Sequence, residues 1–323
     1  MENQKFNLPV LIISFNRPDL TRKILDRVLE MSPPRIYFFN DGARPGNEND
    51  QVKTLEVRAM AKNLDFKGQL FTRFEEQNLG IKMGESTAMH WLFDNEEEGI
   101  VLEDDTYPHP DFFMYCQQML EKYRNDNRIF TITGCNQINN WKEDIQDYHF
   151  AFYGSFWGWA SWRRAWKHYD VTMPQWKEPD VRRLIGNLIN HKEYFKIRTL
   201  EWDHLLAGLN SSWDYQWTFA HFLNNALSIV PSRNLITNIG TGREDAVHMT
   251  GDTPFDRLQS FPFPKNFREN PRMIPDMEYD RKVIEMAYPW VYDTVPAPQL
   301  ASAPGSPTLK NKLKSIVKSV LGK

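Results

Sequence analysis

The sequence predicts an α/β fold in which a mostly parallel sheet is flanked by helices. Short, nearly continuous apolar runs alternate along the chain with segments whose apolar residues recur at helical spacing. Strands that alternate with helices favour a parallel sheet with right-handed crossovers. The 323 residues include 41% hydrophobic and 25% charged residues, which is the balance of an ordinary globular protein.

The first β-α-β unit begins with Leu8 to Ser14, a β-branched and almost wholly apolar run that predicts a buried strand. Arg17-Pro18-Asp19 then marks a turn and the start of a helix. Pro33-Pro34 ends the helical pattern before a second apolar run, Ile36 to Phe39. That second strand leads into Asn40-Asp41-Gly42, which places a carboxylate at its end.

The same alternation continues to residue 133. The predicted elements are a helix around Thr54 to Asn63, a strand Gln69 to Phe74, a Gly-punctuated loop Asn78 to Gly84, a helix ending near Asp94, a strand Ile100 to Leu102, a helix after Pro110 and a strand Ile129 to Thr133.

Tryptophans cluster from Trp141 to Trp217, where the periodicity breaks down around a predicted helix at Val181 to Ile189. We expect this part to build a wall over the sheet edge. A further strand, Ala226 to Val230, precedes the Gly-rich stretch Asn238 to Asp245.

Composition narrows the class of protein. The net charge of −3 gives no general attraction to nucleic acid. Cys116 and Cys135 stand among apolar neighbours and are expected in the core, not in a disulfide or a metal site. Because the N-terminus shows no secretory signal and no apolar run is long enough to span a bilayer, we expect a cytoplasmic protein.

The C-terminus has a different composition. A domain of residues 1–295, with halves meeting near residue 135, is predicted to end at a linker rich in Pro, Ala and Ser, Pro296 to Pro307. Residues 309–323 then form a basic amphipathic pattern, which suits the surface of an anionic membrane. A frayed, solvated tail is the alternative.

Glu103-Asp104-Asp105 follows the apolar run Ile100 to Leu102 directly. Three carboxylates at the end of a buried strand call for a positive partner, and hard cations such as Mg²⁺ and Mn²⁺ prefer oxygen ligands. The alternative is a solvated acidic turn.

Other polar groups are predicted near the same triplet. In a parallel sheet, Asn16, Arg17 and Asp41 would leave their strands at the edge where Glu103 to Asp105 lie, and open α/β sheets bind ligands at that edge. Arg17 would hold a phosphate or stack on a base, and Asp41 would accept hydrogen bonds from a base or ribose.

These motifs together resemble a family. Asn-Arg-Pro-Asp, Asp-Gly and Asn-Leu-Gly, followed by Gly-Ile-Val-Leu-Glu-Asp-Asp and Pro-His-Pro-Asp-Phe-Phe, are similar to the nucleotide-diphospho-sugar transferases of the GT-A fold, which is Rossmann-like. Bacterial transferases related to N-acetylglucosaminyltransferase I are the nearest in kind. The resemblance covers about residues 8 to 250 and is most specific from Leu102 to Phe113.

The resemblance implies a role for each acidic residue of the triplet. Asp105 would ligate Mn²⁺ (or Mg²⁺), Asp104 would lie near the ribose or the metal shell, and Glu103 would lie near the donor sugar. Lys82, in the loop after Asn78, is assigned to the same donor site, in which a metal would neutralise charge on the departing nucleoside diphosphate.

An inverting reaction also needs a base for the acceptor hydroxyl. Trp213-Asp214-Tyr215-Gln216-Trp217 resembles the segment that carries the catalytic Asp in related enzymes, which implies Asp214. Asp203 is a competing candidate, and a helix cap is the structural alternative for Asp214.

The segment after Asn238 is expected to close over the donor, because its two glycines permit rearrangement. Arg243 would reach the diphosphate, and the resemblance places His248 at the metal. In Ser155 to Trp162, we expect one or two of Trp157, Trp159 and Trp162 to face the acceptor, although such clusters also form cores.

The sequence therefore predicts a metal-dependent glycosyltransferase that moves a sugar from a nucleoside diphosphate sugar to a hydroxyl of a glycan or lipid-linked saccharide. Inversion is favoured over retention, surface polysaccharide synthesis is the expected setting, and nucleic acid is excluded as a partner. A metal-dependent nucleotidyltransferase is one alternative, although Ser14 to Arg17 lacks the glycine of a phosphate loop. A non-catalytic carbohydrate-binding protein of the same fold is the other.

Overall fold

A computed structural model describes residues 5–243 and 253–288 of the chain. The chain divides into two compact units, Met1–Ala287 and Tyr288–Lys323, and the helices and strands of the described residues belong to the first. The predicted linker and basic tail, residues 296–323, lie outside the described residues, as does His248. The domain boundary at residue 295 and the amphipathic tail therefore stay predictions.

The described residues form an α/β unit of strands and helices. The strands are β1 (Val10–Ser14), β2 (Arg35–Asn40), β3 (Gln69–Phe74), β4 (Glu98–Glu103), β5 (Thr106–Pro108), β6 (Ile129–Thr133), β7 (Tyr148–Ala151), β8 (Trp159–Trp162), β9 (Leu227–Pro231) and β10 (Ile236–Asn238). The helices are α1 (Pro18–Glu30), α2 (Glu48–Lys62), α3 (Gly80–Asn95), α4 (Asp111–Tyr123), α5 (Arg163–Trp166), α6 (Pro179–Ile189), α7 (Lys192–Leu206), α8 (Asp214–Leu223) and α9 (Met277–Ala287).

Eight strands form one mixed sheet in the order β3-β2-β1-β4-β8-β6-β9-β7. β1 pairs in parallel with β2 and β4, β2 with β3, and β6 with β9. β8 is antiparallel to both β4 and β6, and β7 is antiparallel to β9. Six of the eight strands therefore run in one direction, which confirms the predicted α/β class with a mostly parallel sheet. β5 and β10 make a separate antiparallel pair.

Helices cover both faces of the sheet, and the alternation of side chains along β1 shows this directly. Val10 and Ile12 join the core on one face, with residues of α1 and α4, whereas Leu11 and Ile13 join the core on the other, with residues of α3 and α8. A strand covered on both faces reads as a continuous apolar run, which is why β1 was predictable.

Two predicted features are wrong in detail. The expected loop Asn78 to Gly84 ends early, because α3 begins at Gly80. The stretch Trp141 to Trp217 was expected to build a wall over the sheet edge, but within it Trp159–Trp162 is the strand β8 inside the sheet, where both tryptophans are buried. Its pattern resembled a surface platform because a strand buried on both faces has no polar alternation.

A cluster of indole rings joins β8 to α8. The Trp159 ring lies 5.7 Å from that of Trp213 and 6.2 Å from that of Trp217, measured between centroids. Trp217 also packs 5.1 Å from Trp166 of α5. Trp213 immediately precedes α8, so this packing fixes where α8 begins and therefore where Asp214, its first residue, lies.

None of the helices within residues 5–243 and 253–288 has the length and apolar character that crossing a bilayer requires.

Candidate functional site

The carboxyl ends of β1, β2 and β4 meet at one edge of the sheet. Ser14 at the end of β1 is level with Asn40 of β2, and Ile13 is level with Glu103 of β4. The residues that follow these strands, Arg17, Asp41 and the acidic triplet, therefore leave from the same edge, as the sequence predicts.

Arg17 pairs with two members of the triplet. Its Nη1 donates to Asp105 Oδ2 at 2.9 Å and its Nε to Asp104 Oδ2 at 3.3 Å, while Nη2 donates to Asp104 Oδ1. Burial lowers the pKa of Arg17, but the charges of Asp104 and Asp105 outweigh burial and raise the pKa above its ordinary value. Burial also raises the pKa of Asp104 to about 6, against the opposing charge of Arg17.

Among the described residues, only one of the two carboxylate oxygens of Asp105 accepts a hydrogen bond. Oδ2 accepts from Arg17, whereas Oδ1 is buried and has no hydrogen-bond partner among the described residues. The segment that follows β10 contacts the backbone of Asp105, since Ile239 N donates to the Asp105 carbonyl oxygen at 2.8 Å. A Cβ placed on Gly240 would lie 2.7 Å from Asp105 Oδ2, so the loop lies directly on this carboxylate.

The third residue of the triplet, Glu103, and Glu85 of α3 extend the acidic cluster. Burial raises the pKa of Glu103 well above its ordinary value, and the charges of Asp105 and Asp104 raise it further. Burial likewise raises the pKa of Glu85, with contributions from the charges of Glu103 and Asp214. Glu85 belongs to α3 and had no place in the sequence-based site. No local signal identifies it, because only the packing of α3 against β1 and β4 brings it to this edge.

The structure separates the two candidate bases. Asp214 lies close enough to Glu85 and Glu103 for its charge to raise the pKa of both, and Ser212 Oγ donates to its Oδ1. Asp203 instead accepts from Trp176 Nε1 at 2.9 Å and pairs with Arg182 at 2.6 Å, within the helical region of α6 and α7. Asp214 therefore joins the acidic cluster, whereas Asp203 lies outside it in the ion pair with Arg182.

The carboxylate of Asp41 accepts hydrogen bonds from other groups of the protein. Its carboxylate accepts from the backbone N–H groups of Gly42, Leu79 and Gly80 at 2.8, 2.9 and 3.1 Å, and from Asn78 Nδ2 at 2.9 Å. Two of these donors lie at the N-terminus of α3, so Asp41 positions that helix. Its contact with a base or ribose stays a prediction.

The remaining residues that were predicted for the donor site lie in different parts of the structure. Asn16 Nδ2 donates to Asp50 Oδ1 at 2.7 Å, next to the ion pair of Asp50 with Arg44. Arg243 pairs with Asp19 of α1 at 2.7 Å. Lys82 lies in the first turn of α3, three residues before Glu85. Their proposed contacts with a nucleotide stay predictions, and His248 lies outside the described residues.

The tryptophan string contributes less to a ligand surface than predicted. Trp159 and Trp162 are 1% and 2% exposed, and Arg164 lies over the Trp162 ring at 4.1 Å. Trp157 is partly buried and packs on the core. Facing the acceptor is therefore ruled out for Trp159 and Trp162.

The metal that the resemblance implies can be tested against these side chains. Within the described ranges, no three His, Cys, Asp or Glu side chains are arranged to hold an ion by themselves. The unpaired, buried Oδ1 of Asp105 is nevertheless an oxygen ligand of the kind that a hard cation prefers. The residues fit a cation held by one protein carboxylate, with further oxygens supplied by a bound diphosphate or by water.

Comparisons with known proteins give no family. No family model and no curated protein matches the chain. Among solved structures, the chain is similar to 4-diphosphocytidyl-2C-methyl-D-erythritol synthase from Anaerococcus prevotii, with 10% identity over 69% of this chain and 88% of the other, at a TM-score of 0.35. It is also similar to apo UDP-glucose pyrophosphorylase, with 9% identity over 72% and 93% of the two chains, at a TM-score of 0.34. Similarity at this level supports no conclusion about activity.

Proposed function

We propose that the protein is a metal-dependent glycosyltransferase that transfers a sugar from a nucleoside diphosphate sugar to a hydroxyl of a glycan or lipid-linked saccharide, with inversion. The observation that carries this proposal is the acidic cluster itself. Carboxylates from β4, α3 and α8 converge with Arg17 at the carboxyl edge of the parallel strands. The resemblance of the sequence motifs to GT-A transferases supports the same function.

The electrostatics of the acidic cluster favour the binding of a cation. The described site sets Arg17 against five carboxylates, and burial with mutual repulsion raises the pKa of Glu85, Glu103 and Asp104. A divalent cation relieves this repulsion, and the unpaired Asp105 Oδ1 is the atom that would bind it. When bound, Mn²⁺ or Mg²⁺ would stabilise the charge that develops on a departing diphosphate.

The chain's own residues supply the rest of the chemistry. Asp214 is the proposed base, and it stands at the first position of α8 with Oδ1 accepting from Ser212. Its other oxygen, Oδ2, would take the proton of the acceptor hydroxyl while the oxygen of that hydroxyl attacks the anomeric carbon. Arg17 would hold Asp104 and Asp105 in place through its hydrogen bonds to both carboxylates.

The test compares three carboxamide variants by nucleoside diphosphate release from a panel of sugar nucleotides with Mn²⁺. We expect Asp105→Asn to lose Mn²⁺ binding, measured by calorimetry, together with turnover. Asp214→Asn should bind Mn²⁺ and nucleoside diphosphate as the wild type does, while turnover falls by about 10²–10⁴-fold. Asp203→Asn is the matched control, because its carboxylate pairs with Arg182 outside the cluster.

Three outcomes would contradict this proposal. Full turnover in Asp105→Asn would remove the metal assignment. Pyrophosphate release from a nucleoside triphosphate, with no nucleoside diphosphate released from any sugar nucleotide, would instead establish a nucleotidyltransferase. Binding of sugars without turnover of any nucleotide would establish a carbohydrate-binding protein.

A further inference from the structure

The two edges of the eight-stranded sheet differ in how they are covered. At one edge, the carbonyl oxygen of Phe150 in β7 accepts from Asp276 N at 2.7 Å, so the segment before α9 lies along that strand. At the other edge, β3 pairs with β2 alone among the strands of the described residues. An uncovered edge strand presents a row of backbone groups to which another strand can bind.

The backbone groups of β3 that face outward can be identified from its bonds to β2. Gln69 N donates to Pro34 O at 2.9 Å, and Glu75 N donates to Asn40 O at 3.0 Å, so the odd-numbered residues face β2. Because successive residues of a strand direct their N–H and C=O groups to opposite sides, the even-numbered residues face away from β2. These outward-facing residues are Leu70, Thr72 and Phe74.

β3 lacks the features by which edge strands usually avoid pairing with one another. It has no Pro, Gly or Lys between Gln69 and Phe74, and its register with β2 is unbroken across all six residues. Its single charge, on Arg73, is paired with Glu75 at 2.7 Å. Edge strands that stay unpaired usually carry prolines, exposed lysines or bulges. β3 is therefore open to pairing with another strand.

Exposed apolar side chains flank this edge on both faces of the sheet. Phe71 is 39% exposed, and it points to the opposite face from Phe74, three residues along the strand. On the face of Phe74, Arg58 and Lys62 of α2 lie over its ring, at 5.4 and 5.7 Å from the centroid, so this side of α2 faces β3. Leu55 is three and seven residues before them on the same side of the helix and is 65% exposed.

We propose that the β3 edge is an interface at which a second copy of this chain pairs its own β3, in the antiparallel direction, around a two-fold axis at Thr72. An axis at Thr72 engages all three outward-facing residues at once. Thr72 then pairs with Thr72 of the second copy, and Leu70 with Phe74, as hydrogen-bonded pairs. The inference goes beyond the proposed transfer reaction and does not rest on it.

The side chains that meet across this axis are complementary. The remaining pairs are Phe71 with Arg73 and Gln69 with Glu75, so a guanidinium meets an aromatic ring and an amide meets a carboxylate. No like charges lie opposite each other. A shift of the axis to Arg73 would instead oppose two guanidinium groups, which is unfavourable. The sequence of β3 complements itself in this register, and for that reason a second copy is the partner.

The experiment measures the dissociation constant of the full-length dimer by analytical ultracentrifugation, with lysine placed at either of two positions of β3. Thr72→Lys sets two ammonium groups opposite each other across the axis, and we expect it to raise the dissociation constant by about tenfold. Gln69→Lys is the matched control, because it places the same charge opposite Glu75 of the second copy and should leave the dimer as tight or tighter. Both positions are exposed, so both variants should unfold at the wild-type urea midpoint.

Cysteine cross-linking tests the register directly. The Cα atoms of a hydrogen-bonded pair are about 5.5 Å apart, which lies within the range of a disulfide, so Thr72→Cys should form a covalent dimer on mild oxidation. In Gln69→Cys, the two thiols would be six residues apart along the strand, about 20 Å, and should not cross-link. Cys116 and Cys135 are buried, so the native thiols should not contribute.

The proposal fails if the wild type stays monomeric at the highest concentration at which it is soluble. A dimer that Thr72→Lys does not weaken would place the interface elsewhere, which also overturns it. Equal weakening by Gln69→Lys and Thr72→Lys, or equal cross-linking of the two cysteine variants, would exclude the two-fold axis at Thr72. These measurements use no metal or nucleotide, so their outcome is separate from that of the transferase proposal.

Discussion

Gly240 offers the sharpest test of the acidic cluster, because the loop after β10 lies against Asp105 with no room for a side chain. A Cβ on Gly240 would stand 2.7 Å from Asp105 Oδ2, 2.9 Å from Asp105 Cβ and 3.0 Å from Arg17 Nη1. Ordinary contact begins at 3.4 Å, so Gly240→Ala is short of space by 0.7 Å at the first of these atoms. Either the loop or the Arg17–Asp105 pair must move.

The effect of Gly240→Ala on stability and its effect on metal binding can both be estimated. Overpacking of this kind costs about 1–3 kcal/mol of stability. If Asp105 binds a cation through its unpaired Oδ1, a displaced carboxylate should also weaken metal binding, and the loss of a positioning contact around a metal typically costs about 10–100-fold in affinity. We therefore expect Gly240→Ala to lose stability and Mn²⁺ affinity together.

Gly242→Ala provides the matched control two residues away. Gly242 has a φ of +70°, and no atom of the described residues lies within 4 Å of an added Cβ. Alanine there suffers backbone strain of about 1–2 kcal/mol without touching Asp105. Both variants should thus lose similar stability in urea, whereas Mn²⁺ affinity, measured by calorimetry, should fall in Gly240→Ala alone. Equal Mn²⁺ affinity in Gly240→Ala and wild type would refute the assignment of Asp105, and equal losses in both variants would attribute the effect to loop strain.

Three further predictions concern other parts of the chain. Asp41→Asn should cost at least about 2 kcal/mol in urea unfolding, because an amide cannot accept all the N–H groups that surround the carboxylate; an unchanged midpoint would contradict this. Burial raises the pKa of Asp280 to about 7, against hydrogen bonds from the N–H groups of Phe152 and Tyr153. Because the folded pKa lies above the unfolded value of 3.8, wild-type stability should fall relative to Asp280→Asn between about pH 4 and 7, by up to about 4 kcal/mol, and stay level above pH 7; parallel stability curves would disprove it. Deletion of residues 309–323 should abolish binding to anionic vesicles, and undiminished binding would exclude the tail as a membrane contact.

Much of the sheet was predictable because its physical signal is local. β1, β2 and β6 stand where the apolar runs predict them, since a strand covered on both faces must be apolar throughout. β3, a partly exposed strand at the edge of the sheet, also stands where it was predicted. The same rule misled for β8, whose tryptophans carry the apolar signal without the usual β-branched residues. The start of α3 was missed because its glycines at 80 and 84 are more typical of loops.

The residues of the candidate site likewise divide into those that the local sequence predicts and those that depend on how the chain packs. Arg17 and the triplet stand at strand ends, so the parallel topology alone predicts that they meet. Glu85 could not be predicted, because a single Glu inside a helix has no motif and its position depends on how α3 packs. Asp41 was assigned to the nucleotide because an Asp at a strand end is a frequent ligand contact, whereas its donors from Leu79 and Gly80 appear only in the folded chain.

The antiparallel strand β8 has a consequence for how substrates reach the acidic cluster. It is hydrogen-bonded to β4, which carries the triplet, and to β6 on the other side, while its Trp159 packs on the indole beside Asp214. The acidic triplet and Asp214 are thus parts of one continuous sheet and core, not of two lobes joined by a hinge. The spacing between them is set when the chain folds, so under the proposed function the entry and release of substrates would depend on residues beyond the sheet edge, such as residues 239–243, whose Ile239 N donates to the Asp105 carbonyl oxygen.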